Sequence, residues 1–137
     1  MEYYKTEVGC LQVIVKNKKL LSIKFIDKVS SDQSIVNIKL VNFYKKFDKY
    51  DSDQLGTDFQ IKVWNEIKKI PFGKTESYQK IAENIGHPYS CRAVANACGK
   101  NKLPLIIPCH RVVGKNNMGG YEWGIIKKKL ILEKEKI

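Results

Sequence analysis

The chain of 137 residues has no long apolar run. No stretch approaches the ~20 consecutive apolar residues that span a bilayer, so nothing in the sequence predicts a membrane-spanning helix. Its first residues also lack the apolar core of a secretory signal peptide. We therefore expect a cytosolic protein that does not bind membranes, or a nuclear one in a eukaryote.

Cysteine is sparse, with four residues: Cys10, Cys91, Cys98 and Cys109. Because nothing indicates secretion, free thiols are the default expectation. The spacings among the last three do not resemble the close ligand pairs of a structural zinc site. We expect no disulfide and no bound metal, which elemental analysis of the purified protein can test.

Arginine is also scarce, since only Arg92 and Arg111 occur among the 25 basic residues. Arginine in place of the abundant lysine indicates a need for the planar guanidinium. The net charge is +11, and residues 54–137 carry thirteen Lys and two Arg against seven acids. A basic segment is typical of nucleic-acid-binding proteins, although a lysine-rich surface can also be merely solvated.

Residues 1–53 are predicted to form a small α/β unit. Residues 3–27 alternate apolar and polar side chains around a turn signal at 16–18, which predicts a β-hairpin or short meander. Residues 31–47 have apolar side chains at three-residue steps, which predicts a helix. Polar residues 50–53 then interrupt the pattern. We place the domain boundary there, between 1–53 and 54–137.

Residues 54–137 are predicted to be mostly helical. Thr57 and Gln60 have the spacing of a capping box at the start of a helix. Two further short helices follow, over about 77–85 and 90–98, separated by a tight turn. Within a basic segment, this pair predicts a DNA-binding helix-turn-helix, although a generic helical hairpin has the same pattern.

The second helix of this pair, with Ser90 as its cap, has small side chains and one long charged side chain, Arg92. A helix that reads the major groove usually offers several long polar side chains. Small residues instead let the backbone approach closely, and an arginine could fill the space of a displaced base. The positions we expect to contact DNA are Ser90, Cys91, Arg92, Ala93 and Ala95.

Cys109 and His110 stand side by side between two apolar, β-prone runs in residues 105–113. The flanks predict a buried, rigid strand. A thiol held beside an imidazole is a candidate nucleophile, because the thiolate is the attacking form and a base is needed to produce it. The alternative is an inert buried thiol, which is common in proteins.

Together these residues resemble the O6-alkylguanine-DNA alkyltransferases, the family that repairs O6-methylguanine. The resemblance runs from Thr57 to the C-terminus and rests on Phe59 to Trp64, Ser77-Tyr78-Gln79, Arg92-Ala93-Val94, Asn101, residues 108–112 and Gly120-Tyr121. It implies an α+β fold: a small α/β unit with a short antiparallel sheet and a helix, then a mostly helical domain with a winged helix-turn-helix. It further implies a monomer that needs no cofactor and irreversibly moves an alkyl group, chiefly methyl, from O6-alkylguanine in duplex DNA to Cys109.

The resemblance also implies a catalytic relay. Cys109 would attack the alkyl carbon, and His110 would deprotonate Cys109 through a bound water, because neighbouring side chains on an extended segment point to opposite sides. Glu135, in the last helix, would orient His110 and balance its charge. Without the resemblance, Glu135 is better explained as a solvated partner of nearby lysines.

The remaining positions would hold the base. Tyr78 would assist the departing guanine anion, Arg92 would enter the vacated base stack, and Asn101 would brace the turn before the active-site strand.

The base itself would be bound by the backbone of Cys109 and Val112, the covering loop with Lys115, and a wall formed by Tyr121.

One departure from the family is Trp123, where many members have a small residue. A tryptophan at the mouth of the pocket predicts a preference for methyl over bulky groups such as benzyl. Three rival functions remain: a recognition module that binds alkylated DNA without repairing it, a sequence-reading transcription factor, and a cysteine hydrolase. Cys109 argues against the first, the small-residue helix against the second, and the adjacency of Cys109 and His110 against the third.

Overall fold

The computed structural model describes residues 1–51 and 54–136. The chain forms two compact units, one of residues 1–54 with 102–106 and one of residues 55–101 with 107–137. The predicted boundary after Asp53 falls on residues outside the described ones and stays a prediction. No sequence pattern had assigned residues 102–106 to the first unit.

The first unit contains the predicted meander. Strands β1 (Glu2–Thr6), β2 (Gly9–Lys16) and β3 (Lys19–Ile26) pair antiparallel in sequence order. Asn17 and Lys18 both have positive φ angles, of 53° and 63°, as a tight two-residue hairpin turn requires. A short strand β4 (Val36–Asn37) adds parallel to β1 and completes a sheet of order β3-β2-β1-β4.

The helix predicted over residues 31–47 is shorter than expected, since α1 spans only Leu40–Phe47. Two contacts with other parts of the unit explain the difference. The Glu7 carboxylate accepts the backbone N–H of Leu40 at 2.6 Å and so satisfies the first turn. The backbone N–H of Ile38 donates to the carbonyl of Lys5 at 3.0 Å, which holds the preceding residues extended beside β1.

The second unit begins with α2 (Asp58–Ile67), and the predicted capping box of Thr57 and Gln60 is confirmed. Helices α3 (Tyr78–Asn84), α4 (Cys91–Gly99) and α5 (Ile125–Lys134) follow, and β5 (Glu76–Ser77) pairs parallel with β6 (Val112–Val113). Val63 and Ile67 of α2 are buried, and the indole N–H of Trp64 donates to the carbonyl of Ala97 at 2.9 Å. This bond ties α2 to α4.

Helices α3 and α4 form the predicted helix-turn-helix. Gln79 donates from Nε2 to the carbonyl of Pro88 at 2.8 Å, and the Cys91 thiol donates to Gln79 Oε1 at 2.7 Å. These bonds fix the turn between the helices. The predicted α+β fold class is confirmed, and no helix in the described part of the chain is long and apolar enough to cross a membrane.

The strand predicted around Cys109 is wrong. Cys109–Arg111 form a single 3₁₀ turn, and only Val112–Val113 are extended in a ladder. Pro108 has no N–H for a sheet, and the carbonyl of Ile107 is taken by the side chain of Asn101 at 2.9 Å. The apolar residues before Cys109 are therefore buried by tertiary packing, and only the two after Arg111 also pair as a strand.

Candidate active site

A cavity of about 260 Å³ opens in the second unit beside Cys109. It is bounded by the start of α3, the end of α4, the 3₁₀ turn and the loop before α5. The lining residues are Tyr78, Ala95, Cys98, Gly99, Cys109, Gly120, Tyr121 and Glu122. The lining thus includes two phenol and two thiol side chains.

Cys109 is 4% exposed and borders this cavity. The Asn101 amide donates from Nδ2 to Cys109 Sγ at 3.3 Å as well as to the carbonyl of Ile107. The neighbouring Cys98 side chain and burial both raise the pKa of Cys109 well above its usual value, while Asn101 and Lys128 act in the opposite direction. Cys109 therefore rests as a thiol and needs a base before it can act as a nucleophile.

His110 is completely buried, and its Nε2 lies 2.9 Å from Oε2 of Glu135. Burial lowers the pKa of His110, so the imidazole is neutral at neutral pH. An ionised carboxylate can only accept, so Nε2 carries the proton and Nδ1 has a free lone pair. Among the described residues Nδ1 has no hydrogen-bond partner. The residue that follows Cys109 in the chain therefore carries a free proton acceptor.

Glu135 is buried at the C-cap of α5, one residue beyond the predicted helix position. Its carboxylate accepts two hydrogen bonds from the fork of Arg111, Nε to Oε1 and Nη2 to Oε2, both at 2.9 Å. The third guanidinium nitrogen donates to the carbonyl of Ile70 at 2.8 Å. Arg111 is one of only two arginines in the chain, but the sequence predicted no role for it.

Lys128 is a further site residue that was not predicted from the sequence. It is fully buried, and its Nζ donates to the carbonyls of Val112 at 2.6 Å and Gly120 at 2.9 Å and lies 3.5 Å from the Tyr78 hydroxyl. Burial lowers its pKa to about 8. It stands in a run of three lysines, which suggests a solvated face, but Lys128, Ile131 and Glu135 follow helical spacing and share the buried side of α5. This spacing in the sequence could have predicted that Lys128 is buried.

Two tyrosines face the cavity. The Tyr78 hydroxyl donates to the carbonyl of Gly120 at 3.4 Å, and burial raises the pKa of Tyr78 to about 12, so it stays protonated. The Tyr121 ring lies edge-on to His110 with centroids 6.4 Å apart. Glu122 lines the cavity where Trp123 was expected, and Trp123 is half-buried outside the lining.

The residues predicted to contact DNA lie apart from this cluster, along α4. Arg92, Ala93 and Ala95 are exposed. Ser90 occupies the N-cap position, but its side chain makes no capping bond, and the thiol of Cys91 is bonded to Gln79 within the turn. Ala95 also reaches the cavity, so one helix borders both the open surface and the site. Lys115 is exposed in the loop after β6, outside the lining.

In the described part of the chain, no three His, Cys, Asp or Glu side chains converge as a metal site would require. The four cysteines are free thiols.

Known proteins are similar to this chain in sequence and fold. Residues 58–137 match the profile of the DNA-binding domain of 6-O-methylguanine DNA methyltransferase. A probable methylated-DNA–protein-cysteine methyltransferase of Acanthamoeba polyphaga mimivirus is 45% identical over 99% of this chain and 96% of its own length. The methylated-DNA–protein-cysteine methyltransferase of Methanocaldococcus vulcanius is 58% identical over 59% of this chain and 49% of its own length, so the chain aligns with about half of that relative. A crystal structure of Mycobacterium tuberculosis OGT in complex with DNA covers 99% of this chain and 93% of its own, at 30% identity and a TM-score of 0.79.

Proposed function

This chain belongs to the 6-O-methylguanine DNA methyltransferase family and is a DNA repair protein that transfers an alkyl group to cysteine; we propose that Cys109 is the acceptor. The observation that carries the proposal is the position of Cys109. It is a thiol that borders the cavity and also directly precedes a buried, neutral imidazole in the chain. The alkyl group comes from O6-alkylguanine, chiefly O6-methylguanine, in duplex DNA.

Activation begins with His110. Its Nδ1 is a free acceptor in a buried site, and buried polar atoms normally have a partner. A water between Nδ1 and Cys109 Sγ would supply that partner and carry the proton from the thiol. The resulting imidazolium is stabilised by Glu135 through the 2.9 Å contact at Nε2.

Transfer is then a displacement at carbon. The Cys109 thiolate attacks the alkyl carbon in line, an S–C bond forms, and the C–O bond to guanine O6 breaks. The guanine leaves with the bonding electron pair and gains a proton, so the overall exchange is thiol plus alkylguanine to thioether plus guanine. The protonated Tyr78 hydroxyl donates toward the departing base, and the Lys128 ammonium at 3.5 Å stabilises the phenol oxygen as it does so.

The product is a thioether, which has no simple route back to a thiol. Each molecule therefore acts once and requires no cofactor, because the protein supplies the nucleophile and the DNA supplies the alkyl group. Activity falls in proportion to the number of lesions repaired.

DNA is presented to the cavity by α4. The exposed Ala93 and Ala95 let the helix backbone approach the minor groove, and Arg92 occupies the space of the base that is turned out. The flipped guanine enters the cavity and meets Tyr121 and the backbone of Cys109 and Val112. One lone pair of the Val112 carbonyl is taken by Lys128, which leaves the second for the base.

The protein acts on its own, as a monomer, where DNA is held. That compartment is the cytoplasm in a prokaryote.

The test is a peptide mass spectrum after incubation with a duplex oligonucleotide that contains one O6-methylguanine. One methyl group is expected on the Cys109 peptide and none in Cys109→Ala. The matched control is Cys98→Ser, which changes the other thiol of the same cavity and is expected to leave methylation of Cys109 intact. Binding of the duplex without any mass change would instead identify a recognition module, and a methyl group on Cys98 would reassign the acceptor.

A further inference from the structure

Arg111 is buried beside the relay but has no task in the reaction just described. Three of its nitrogens are engaged: Nε and Nη2 with the two oxygens of Glu135, and Nη1 with the carbonyl of Ile70. Its guanidinium carbon also lies 5.8 Å from the centroid of the Phe72 ring. Such a fixed position indicates a role beyond solvation.

The carboxylate of Glu135 is in a place that disfavours a negative charge. It is 1% exposed, and it caps the C-terminal end of α5, where the helix dipole is negative. A buried carboxylate in that position needs a cation held against it, and that cation can be a guanidinium or a protonated imidazole. The guanidinium of Arg111 is that cation, and it contacts both oxygens.

The same charge acts on His110. The groups that act on this imidazole are Lys128 from α5 and Glu135 from its C-cap, Arg111 from the same turn as His110, and the Tyr121 ring. Burial lowers the pKa of His110, Glu135 raises it, and Arg111 and Lys128 lower it. If the guanidinium were absent, Glu135 would act on His110 without opposition from Arg111. The proton would then rest on the imidazole before the reaction starts, and a protonated histidine cannot accept the proton of Cys109.

We propose that Arg111 is a positioning residue for alkyl transfer, which holds Glu135 ionised and His110 neutral through its two-pronged contact with the carboxylate. This inference rests on the proposed function, because it assigns His110 the part of the base. It also explains why arginine stands here in a chain that otherwise uses lysine almost throughout. A lysine is a point charge and cannot contact both carboxylate oxygens in the plane of the group.

The experiment measures the single-turnover rate of methyl transfer to Cys109 from pH 5 to 8 in the wild type, Arg111→Gln and Arg111→Lys. The rate is divided by the fraction of protein that can be methylated at completion, so that misfolded molecules do not contribute. The rate rises with pH as His110 loses its proton. Loss of the guanidinium is expected to move this acid limb upward by about one pH unit in Arg111→Gln, and by less in Arg111→Lys, which keeps a cation.

A second readout does not depend on the rate. The ring nitrogen NMR signals of His110, one of only two histidines in the chain, report its protonation directly. They are expected to show the same upward shift of the pKa of His110. Lys136→Gln is the matched control, since it removes a cation one residue after Glu135 whose pair with Glu133 is exposed, and it is expected to move neither readout.

The inference would be overturned if both variants kept the wild-type acid limb of the pH–rate profile and the wild-type pKa of His110. A loss of rate by the same factor at every pH would also overturn it. If Arg111→Gln fails to fold, Arg111→Lys decides alone, and an unmoved limb there has the same meaning. The wild type separates this result from the proposed function. Methylation of wild-type Cys109 supports the function whatever the variants do, and its absence rejects the function before Arg111 is considered.

Discussion

The two units of this protein bury different kinds of side chain. The interior of the first unit is made of apolar residues and tyrosine rings, with Tyr4 packed edge-on against Phe43 and Phe47 at 5.6 and 5.4 Å. The second unit has a similar apolar core around α2. It also buries all the strongly polar side chains found buried in the described chain: Asn101, His110, Arg111, Lys128 and Glu135.

Stability and chemistry therefore depend on different side chains of this protein. Burying apolar surface is favourable without further conditions, whereas burying ions is often neutral or costly even when they are paired. A mutation in the first unit should therefore change the folded fraction and leave the chemistry alone. A mutation in the buried polar cluster of the second unit should change both, or change the chemistry alone.

The largest expected effect sets Glu135→Gln against Phe43→Ala. Removal of the carboxylate leaves Arg111 buried without its counter-ion and should cost roughly 3–5 kcal/mol of unfolding free energy. Loss of the Phe43 ring leaves a cavity and should cost a similar amount, about 3–5 kcal/mol. Only Glu135→Gln should also slow methyl transfer per folded molecule, by about 100-fold or more. Urea unfolding and single-turnover rates measure the two quantities, and equal rate losses would abolish the contrast between the units.

His110→Gln comes next, and it should separate rate from stability within the second unit. Glutamine can still hydrogen-bond Glu135 but cannot accept a proton, so we expect a rate loss of roughly 10²–10⁴-fold. The unfolding free energy should change by much less than in Glu135→Gln. A variant that reacts at the wild-type rate would show that another group serves as the base.

Lys128→Met tests the cost of a buried cation. The pKa of Lys128 is lowered to about 8 in the folded protein from 10.5, so the unfolded chain binds more protons between these values. The unfolding free energy of the wild type should therefore increase as the pH rises from about 8 to 10. Below about pH 8, burial of the charged Lys128 lowers the unfolding free energy by its full amount. The methionine variant should be more stable than the wild type at pH 7 by roughly 1–3 kcal/mol, and the advantage should shrink toward pH 10. Unfolding curves of both proteins at each pH check this, because other titrating groups cancel in the difference.

Trp123→Gly should have the smallest effect. If the indole narrows the approach to the cavity, its removal should leave the methyl rate nearly unchanged and raise the rate with O6-benzylguanine a few-fold. The structure places Glu122 in the lining and Trp123 outside it, so Glu122→Gly is the matched comparison. A gain in Glu122→Gly alone would transfer the selectivity to the lining residue.

The sequence predicted correctly those features that depend on residues close together in the chain. The capping box at Thr57, the hairpin turn at Asn17 and Lys18, and the two helices around the Gly86 turn each depend on residues within a few positions of one another. Cys109 and His110 were singled out on the same basis. The start of α1 was misjudged because Glu7, thirty-three residues from Leu40, decides where that helix begins.

Residue type and short spacing were enough to predict most of the helices, the meander and the distribution of charge, and to propose Cys109 and His110 as the reactive pair. The surroundings of this pair depend instead on the packing of distant segments. That packing formed a 3₁₀ turn where a strand was expected, brought Lys128 inside, and set Arg111 between Glu135 and Ile70. Such outcomes escape short sequence patterns because burial sets the protonation of a charged group, and burial depends on which distant segments pack around it.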